Sequence, residues 1–298
     1  MQNGDTFSSY HPMVNFVFFA LVLGCTMFFM HPVSLCISLV SAFGYAVYLK
    51  GGRAVRFFLL YLFPMMVMAA VLNPAFNHEG VTILTYLPSG NPLTLESIAF
   101  GIGAAGMLAA VVLWFFCYTE VMTSDKFVYL FGRILPALSL VLSMTLRFVP
   151  KFQAQFRVVR EGQKCVGRDI SDGNVRTRMK HTVTIFSIMV TWALENAIET
   201  ADSMKSRGYG LKGRTAFSIY RFDSRDKWAI VWLLFCGAAI LGGAICGYLD
   251  WRYFPTIKGT AVSMWTVLAQ LIYFALCSTP VFLNRREDRR WKYLRSEI

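Results

Sequence analysis

The chain has 298 residues, of which 56% are hydrophobic and only 15% are charged. A soluble protein of this length carries about 25% charged residues, so the composition excludes an ordinary soluble domain. The net charge of +12 does not indicate nucleic-acid binding, because the basic residues lie in a few segments between long apolar runs. Cytoplasmic loops of membrane proteins concentrate lysine and arginine in this way.

Several apolar runs approach the roughly 20 residues that a helix needs to cross a bilayer. We therefore predict an all-α polytopic membrane protein with about six transmembrane helices. The N-terminal membrane part, residues 1–118, has four predicted spans, and residues 228–283 contain two more before a basic cytoplasmic tail at 284–298. The four N-terminal spans lie at about 13–30, 33–49, 57–72 and 97–118.

A basic segment, residues 119–227, is inserted before the last two spans and is predicted to form a cytosolic or interfacial helical module. It contains two apolar stretches, 134–146 and 182–194, which are too short to span comfortably. The first stretch is expected to close at Arg147 and Pro150. We expect both stretches to lie at the cytoplasmic interface. An additional short transmembrane pair, which would raise the span count from six to eight, is the open alternative.

Two basic helices are predicted inside this module. Lys151–Val166 is amphipathic, and Gly167 follows it as a left-handed terminator. A second helix is expected from about Arg176 to Arg207, with Gly208 as its terminator. Each helix would thus end in a basic, glycine-terminated element.

The distribution of basic residues predicts the orientation of the chain. With six spans and both termini in the cytoplasm, the inside segments hold 27 of the 29 Lys and Arg residues. The outside loops, 73–96 and 249–260, hold only Arg252 and Lys258. Because basic residues accumulate on the cytoplasmic side, both termini are expected to be cytoplasmic.

An arginine at the end of a rigid helix can donate several hydrogen bonds in one plane, which suits docking into a groove on a partner protein. The same arginines could instead mark the cytoplasmic side or bind anionic lipid headgroups. The residues alone leave both interpretations open.

Three stretches of the module add a more specific indication. Ser143–Phe152 reads SMTLRFVPKF, Arg157–Gly167 reads RVVREGQKCVG, and Glu199–Gly210 reads ETADSMKSRGYG, followed by Arg214 and Thr215. This pattern resembles the T components of energy-coupling factor transporters, a family that includes the membrane subunit of cobalt and nickel uptake systems. The resemblance covers residues from about 120 to 230. The N-terminal spans match only as generic hydrophobic helices.

The resemblance implies that two short Ala-Arg-Gly elements end the coupling helices and dock into two ATP-binding-cassette ATPases. The second element is present as Ser206-Arg207-Gly208, and the first aligns with Cys165-Val166-Gly167, which lacks the central arginine. Arg168 is displaced by two residues, which is about 200° around a helix if the helix continued. Arg160 and Lys164 are the other candidate substitutes, so whether the first element docks is left open.

The resemblance further implies a non-catalytic subunit that passes ATP-driven motion to a separate small membrane protein, the S component, for uptake of a vitamin or a transition-metal ion. No cofactor is expected, because the chain has no GxxxxGK(S/T) phosphate loop and the partner ATPases would bind ATP. His78 has no second histidine or cysteine nearby, so no metal site is predicted. No catalytic residue is proposed. The expected location is a bacterial or archaeal cell membrane.

The alternative functions are a self-contained secondary transporter and a conventional importer permease. A secondary transporter is expected to line its path with intramembrane ionisable groups. The six predicted spans contain no Asp, Glu, Lys or Arg in their interiors, which disfavours that function. A conventional permease would be expected to carry one coupling loop instead of a two-helix module. In the resembling family the substrate is selected by a different polypeptide, so the sequence does not name it.

Overall fold

The computed structural model describes residues 5–86, 92–132, 136–171, 173–209, 211, 220–261 and 263–296. The chain forms two compact units. The first consists of Met1–Lys126 together with Tyr220–Ile298, and the second consists of Phe127–Ile219. The second unit is therefore an insertion in the chain of the first.

Ten α-helices and four short strands make up the described residues. The helices are α1 (Pro12–Phe28), α2 (Pro32–Lys50), α3 (Gly52–Phe57), α4 (Phe63–Phe76), α5 (Leu95–Val121), α6 (Ser124–Gly132), α7 (Pro136–Cys165), α8 (Val175–Ser206), α9 (Ser224–Ile245) and α10 (Met264–Ser296). The strands are β1 (Ile83–Tyr86), β2 (Pro92–Thr94), β3 (Trp251–Arg252) and β4 (Lys258–Gly259).

The apolar helices all lie in the first unit. Among the described residues, five helical segments are long and apolar enough to cross a membrane: Pro32–Lys50, Gly52–Phe76, Leu95–Val121, Ser224–Ile245 and Met264–Arg290. The apolar helix α1 is shorter, with 17 residues. The prediction of an all-α polytopic membrane protein is confirmed.

The third span runs through a proline without ending. A π-helical turn at Phe58–Leu62 joins α3 to α4 directly before Pro64, and the Phe63 N–H bonds to the Phe58 carbonyl, five residues back. A proline ring clashes with the carbonyl four residues earlier in a regular helix. The widened turn relieves that conflict, since π-turns are a common cause of an irregular but continuous helix.

The core of the first unit contains a neutral polar network. The hydroxyls of Thr26 and Ser38 share a hydrogen bond at 2.7 Å, and the Trp114 indole N–H donates to the Ser38 hydroxyl at 2.9 Å. The Tyr273 hydroxyl lies 3.1 Å from that of Thr26. This network joins α1, α2, α5 and α10, and it satisfies polar groups that would otherwise be costly to bury.

The N-terminal segment, residues 5–11, is fixed against the helix ends of the first unit. The Asp5 carboxylate accepts hydrogen bonds from Asn284 at 2.5 Å and from the Tyr45 hydroxyl at 3.0 Å. The Phe7 N–H donates to the Asn284 side-chain oxygen at 2.9 Å. The Lys126 ammonium donates to the Ser8 hydroxyl at 3.0 Å. These contacts bring α2, α10 and Lys126 together around one short segment.

The second unit is built from α7 and α8, and here one prediction is wrong. The apolar stretch 134–146 was expected to close at Arg147 and Pro150, but α7 continues from Pro136 through Pro150 to Cys165. Residues 134 and 135 lie outside the described residues. A proline inside a helix costs about 3 kcal/mol. The next turn packs against α8, where the Phe152 and Trp192 ring centres lie 5.3 Å apart, and such a pair recovers about 0.5–1.5 kcal/mol of that cost.

Two predicted loops and the predicted tail contain regular structure. In the loop 73–96, α4 extends to Phe76, and β1 then pairs antiparallel with β2. The Glu96 carboxylate supports this hairpin by accepting hydrogen bonds from the N–H and hydroxyl of Thr82. In the loop 249–260, β3 pairs with β4. The basic tail continues α10 as a helix up to Ser296.

Candidate partner-docking site

The first candidate element lies at the C-terminus of α7. The Gly167 N–H donates to the Lys164 carbonyl at 2.9 Å, and the Arg168 N–H reaches back to the Gln163 carbonyl at 2.9 Å. Gly167 has φ = 74°, a conformation that glycine adopts without a Cβ clash. The two nested bonds and the left-handed glycine define a Schellman cap.

The second candidate element, at the C-terminus of α8, has the same bonds. The Gly208 N–H donates to the Lys205 carbonyl at 2.9 Å, and the Tyr209 N–H donates to the Met204 carbonyl at 3.0 Å. Gly208 has φ = 76°. The α8 helix thus ends in a second Schellman cap. Gly210 and residues 212–219, which include Arg214 and Thr215, lie outside the described residues.

The shared geometry aligns the two ends residue by residue. When the two glycines are matched, Val166 takes the place of Arg207, and Arg168 takes the place of Tyr209. The helix α7 does not continue past Cys165, so a rotation of 200° about its axis does not describe the position of Arg168. Arg168 lies instead in the reversed chain beyond the cap, where its side chain is exposed.

Two of the candidate substitutes at the first end contact a carboxylate of their own chain. The Arg160 Nε lies 3.7 Å from Asp169 Oδ1, and the Lys164 Nζ lies 3.9 Å from Asp169 Oδ2. The Ser171 hydroxyl donates to Oδ2 at 2.6 Å. That hydrogen bond, with help from Arg160, lowers the pKa of the buried Asp169 carboxyl. Arg160 and Lys164 therefore stabilise the connector between the helices.

The connector also caps the next helix. The Asn174 side chain accepts a hydrogen bond from the Val175 N–H at 3.1 Å, at the N-terminus of α8. The Arg178 guanidinium donates from Nε to the Ile170 carbonyl at 2.8 Å. Side-chain acceptors at this position satisfy backbone donors that have no partner within the helix. The connector is thus held by contacts with both α7 and α8.

At the second end the central arginine has no such partner. The Arg207 side chain is exposed, and within the described part of the chain its guanidinium forms neither an ion pair nor a hydrogen bond. Lys205 lies 4.0 Å from Asp202, and the Ser206 hydroxyl donates to the Ser203 carbonyl at 2.9 Å. Arg207 is therefore available to an external acceptor.

The two ends are well separated along the module. The helix α8 has 32 residues, which corresponds to a length of about 48 Å. Its N-terminus follows the first cap after a connector of a few residues, and its C-terminus carries the second cap. The arrangement offers two separate contact points.

The helix pair is held together by an aromatic contact and by a lysine. Phe152 and Trp192 meet edge to face, and the Lys151 ammonium lies 5.7 Å from the Trp192 ring centre. The same ammonium donates to the Asn196 side-chain oxygen at 2.6 Å. A cation over an indole ring adds about 0.5–1 kcal/mol at an exposed site.

A feature that the sequence analysis missed is a second apolar stripe on α8. Ile185 and Met189 are buried in the second unit. Another stripe, with helical spacing of three and four residues, remains exposed: Val183, Phe186, Val190, Leu194 and Ile198. A soluble monomer rarely exposes so long an apolar surface, which marks a protein or membrane contact. The exposed stripe could have been found in the sequence, because the apolar residues of this helix fall on two of its faces.

A groove between the two helices gives the module a concave apolar surface. Among the described residues, no group of three or more His, Cys, Asp or Glu side chains is placed to hold a metal ion. An apolar groove of about 520 Å³ lies between α7 and α8, and its walls include Phe156, Phe186 and Met189. These features are suited to binding another macromolecule.

Together, the fold and this site define a polytopic membrane protein that carries an inserted helix pair with exposed, arginine-bearing ends. Residues 6–217 match the model of the cobalt transport protein family CbiQ. This match covers well over half of the chain, and the protein belongs to that family. The resemblance to the T components is thereby confirmed.

Curated relatives are similar to shorter stretches of the chain. An energy-coupling factor transporter transmembrane protein of Listeria monocytogenes is 35% identical over 107 residues, which cover 35% of this chain and 40% of that protein. A Lactococcus lactis protein of the same description is 33% identical over 95 residues, 32% of this chain and 36% of that protein. The Staphylococcus aureus relative is 25% identical over 194 residues, 62% of this chain and 70% of that protein. The chain thus spans about two fifths of the length of the first two relatives.

Proposed function

We propose that this protein is the transmembrane coupling (T) subunit of an energy-coupling factor importer. Two ATP-binding-cassette ATPases would dimerise on ATP and reopen after hydrolysis, and α7 and α8 would transmit that motion. A small membrane S component would bind the transported vitamin or transition-metal ion. The subunit itself would need no cofactor. The observation that carries the proposal is the pair of matching Schellman caps at the ends of two long helices.

Docking of the ATPases is assigned to the two capped ends, Cys165–Arg168 and Ser206–Gly208. The Schellman bonds hold each end in one conformation, so little entropy is lost on binding. At the second end the planar Arg207 guanidinium can donate to carbonyl or carboxylate groups of a partner groove. At the first end Val166 is 66% exposed and offers only an apolar contact.

Contact with the S component is assigned to the exposed apolar stripe of α8. A stripe of Val183, Phe186, Val190, Leu194 and Ile198 presents side chains at the spacing with which one helix recognises an apolar groove. A membrane-embedded partner has such apolar surfaces to offer. The stripe and the Arg207 cap belong to the same rigid helix, so movement at the cap would be carried to the stripe.

The proposed orientation places both termini in the cytoplasm of a bacterial or archaeal cell. The end of α2 and the short helix α3 carry Lys50, Arg53 and Arg56, and the C-terminal part of α10 carries four arginines between residues 285 and 290. These short segments have the basic content expected of cytoplasmic loops. ATPases in the cytoplasm would then meet the capped ends directly.

The test is co-purification of the full chain with its candidate ATPase subunits. Arg207→Glu should lower the amount of retained ATPase by about thirtyfold, because central interface arginines contribute 2 kcal/mol or more. Arg289→Glu, the same charge change at an exposed arginine of α10 outside the second unit, is the matched control and should retain the ATPases. Undiminished assembly of the Arg207→Glu variant would refute the docking role of this residue.

A further inference from the structure

A second groove, of about 620 Å³, lies in the first unit between α9 and α10. Its walls are formed by the first turns of α9, by the C-terminal half of the α10 span and by the N-terminal segment. The T-component function assigns no role to it. The groove differs from the one between α7 and α8 because two arginines, Arg225 and Arg286, line it together with tryptophans.

The walls of the groove are apolar. Trp228 is 76% exposed and Phe282 is 66% exposed, so large ring surfaces face the groove without a protein partner. Two polar side chains deeper in the wall already have hydrogen-bond partners. The Trp232 indole N–H donates to the Thr279 hydroxyl at 3.3 Å, and that hydroxyl donates to the Ala275 carbonyl at 2.8 Å. The interior therefore suits a hydrocarbon chain.

The mouth of the groove is positively charged. The Arg225 guanidinium lies 4.2 Å from the centre of the Tyr10 ring, and Arg286 lines the groove from α10. Neither arginine forms an ion pair with a described carboxylate. The carboxylates that follow the two arginines in the sequence, Asp226 and Glu287, have other partners. Asp226 accepts the N–H groups of residues 11 and 223, and Glu287 pairs with Arg290 at 3.9 Å.

The length of the groove matches one leaflet of a bilayer. Its α10 wall runs from Arg286 to Ala275, a rise of 11 residue steps or about 16 Å. Half of a bilayer's hydrocarbon core measures about 15 Å. Arg225 stands at the first turn of α9, and Trp228 and Trp232 follow one and two turns further in, which is the order of an interfacial aromatic belt. A lipid standing in its leaflet would meet the arginines with its headgroup.

We propose that this groove binds one anionic glycerophospholipid of the membrane. Its phosphate lies between Arg225 and Arg286, and one acyl chain lies along the apolar walls between α9 and α10. Basic pockets between transmembrane helices recognise anionic headgroups in this way. The apolar length below the mouth selects a membrane lipid over a free phosphate. The proposal does not depend on the transport function.

The test is native mass spectrometry of the full chain in detergent with equal amounts of phosphatidylglycerol and phosphatidylcholine. The wild type should retain phosphatidylglycerol preferentially. The double variant Arg225→Gln/Arg286→Gln should weaken that retention by about thirtyfold, or about fivefold for each arginine. The control Arg285→Gln/Arg289→Gln removes the same charge from exposed positions outside the groove and should retain the lipid. Equal losses in both double variants, or no preference in the wild type, would overturn the proposal.

A second pair of variants tests the acyl chain. Ala275→Phe fills the inner end of the groove, and Ala229→Leu fills the facing wall if the first variant does not fold. Either variant, with an unchanged unfolding temperature, should lose retained phosphatidylglycerol at least tenfold. Soluble glycerol phosphate should not compete with the lipid. Full retention in the filled variants, or displacement by glycerol phosphate, would assign the arginines to a free anion and reject the lipid site.

Discussion

The C-termini of α7 and α8 share one backbone conformation and differ in chemistry. Both end in a Schellman cap with a glycine at φ near 75°, 74° in one and 76° in the other. The residue before the glycine is Val166 in α7 and Arg207 in α8. The cap is determined by backbone bonds and by the glycine. The preceding side chain can therefore vary without altering the shape of the helix end.

The surroundings of the two ends differ as well. At the first end Asp169 holds Arg160 and Lys164 in the connector. At the second end Arg207 is exposed, with its charge directed to solvent. Two ends of equal shape are therefore predicted to make unequal contacts, a stronger polar one through α8 and a weaker apolar one through α7.

The largest expected effect is a difference in ATPase retention between variants of the two helix ends. Arg207→Glu should reduce ATPase retention by about thirtyfold, whereas Arg168→Glu should reduce it by about threefold or less. Arg168 lies beyond its cap at the place of Tyr209, so it does not occupy the central position. Co-purification of both variants in parallel measures the difference. Equal losses would show that Arg168 docks despite its position.

A smaller effect is expected to be common to both ends. Gly167→Val and Gly208→Val each place a branched side chain at positive φ, which costs about 1–2 kcal/mol. Hydrogen exchange of the Arg168 and Tyr209 amides should accelerate by a similar factor in the two variants. Unchanged exchange in either variant would show that its cap does not depend on the glycine.

The alanine variants sharpen this result. A Cβ added at Gly208 would lie 3.1 Å from Leu211 Cδ1, whereas a Cβ at Gly167 would meet open space. Gly208→Ala should therefore accelerate exchange slightly more than Gly167→Ala.

The smallest effect is a pH dependence confined to the first end. The Ser171 hydrogen bond and Arg160 lower the pKa of Asp169 in the folded chain. A lowered pKa stabilises the connector above the unfolded value of about 3.9, and this contribution is lost as the pH falls through the folded pKa. Exchange of the Arg168 amide, corrected for its intrinsic rate, should be constant from pH 7 to about pH 5 and rise below about pH 4.

Asp169→Asn should remove this pH dependence. Asp202→Asn, which changes an exposed carboxylate near the second end, is the control and should leave it intact. An identical pH profile in wild type and Asp169→Asn would show that another group titrates in the connector.

The sequence predicted the features that depend on local rules. Gly167 and Gly208 were recognisable as terminators because glycine alone adopts positive φ without strain. The membrane spans were recognisable because an exposed backbone is not tolerated in lipid, and long apolar helices follow from that constraint. The apolar composition around residues 52–76 and 95–121 was enough to predict a membrane span in each of these two regions.

Features that depend on tertiary contacts were not predictable in the same way. The helix α7 continues through Pro150 and then contacts α8 through Phe152 and Trp192, which are 40 positions apart in the sequence. The ion pairs of Arg160 and Lys164 with Asp169 could not be predicted from the sequence, because they depend on the folded conformation of the connector. The docking role of Arg207 stays a prediction, because an exposed side chain shows its partner only in a complex.

The N-terminal segment has a consequence for the order in which the molecule is assembled. Phe7 and Asp5 bond to Asn284, 277 and 279 positions further along the chain. On the ribosome, Asp5 and Phe7 are synthesised long before α10 exists. The early helices can enter the membrane before Asn284, the partner of this segment, has been synthesised. These contacts can therefore form only after the part of α10 that carries Asn284 has been synthesised.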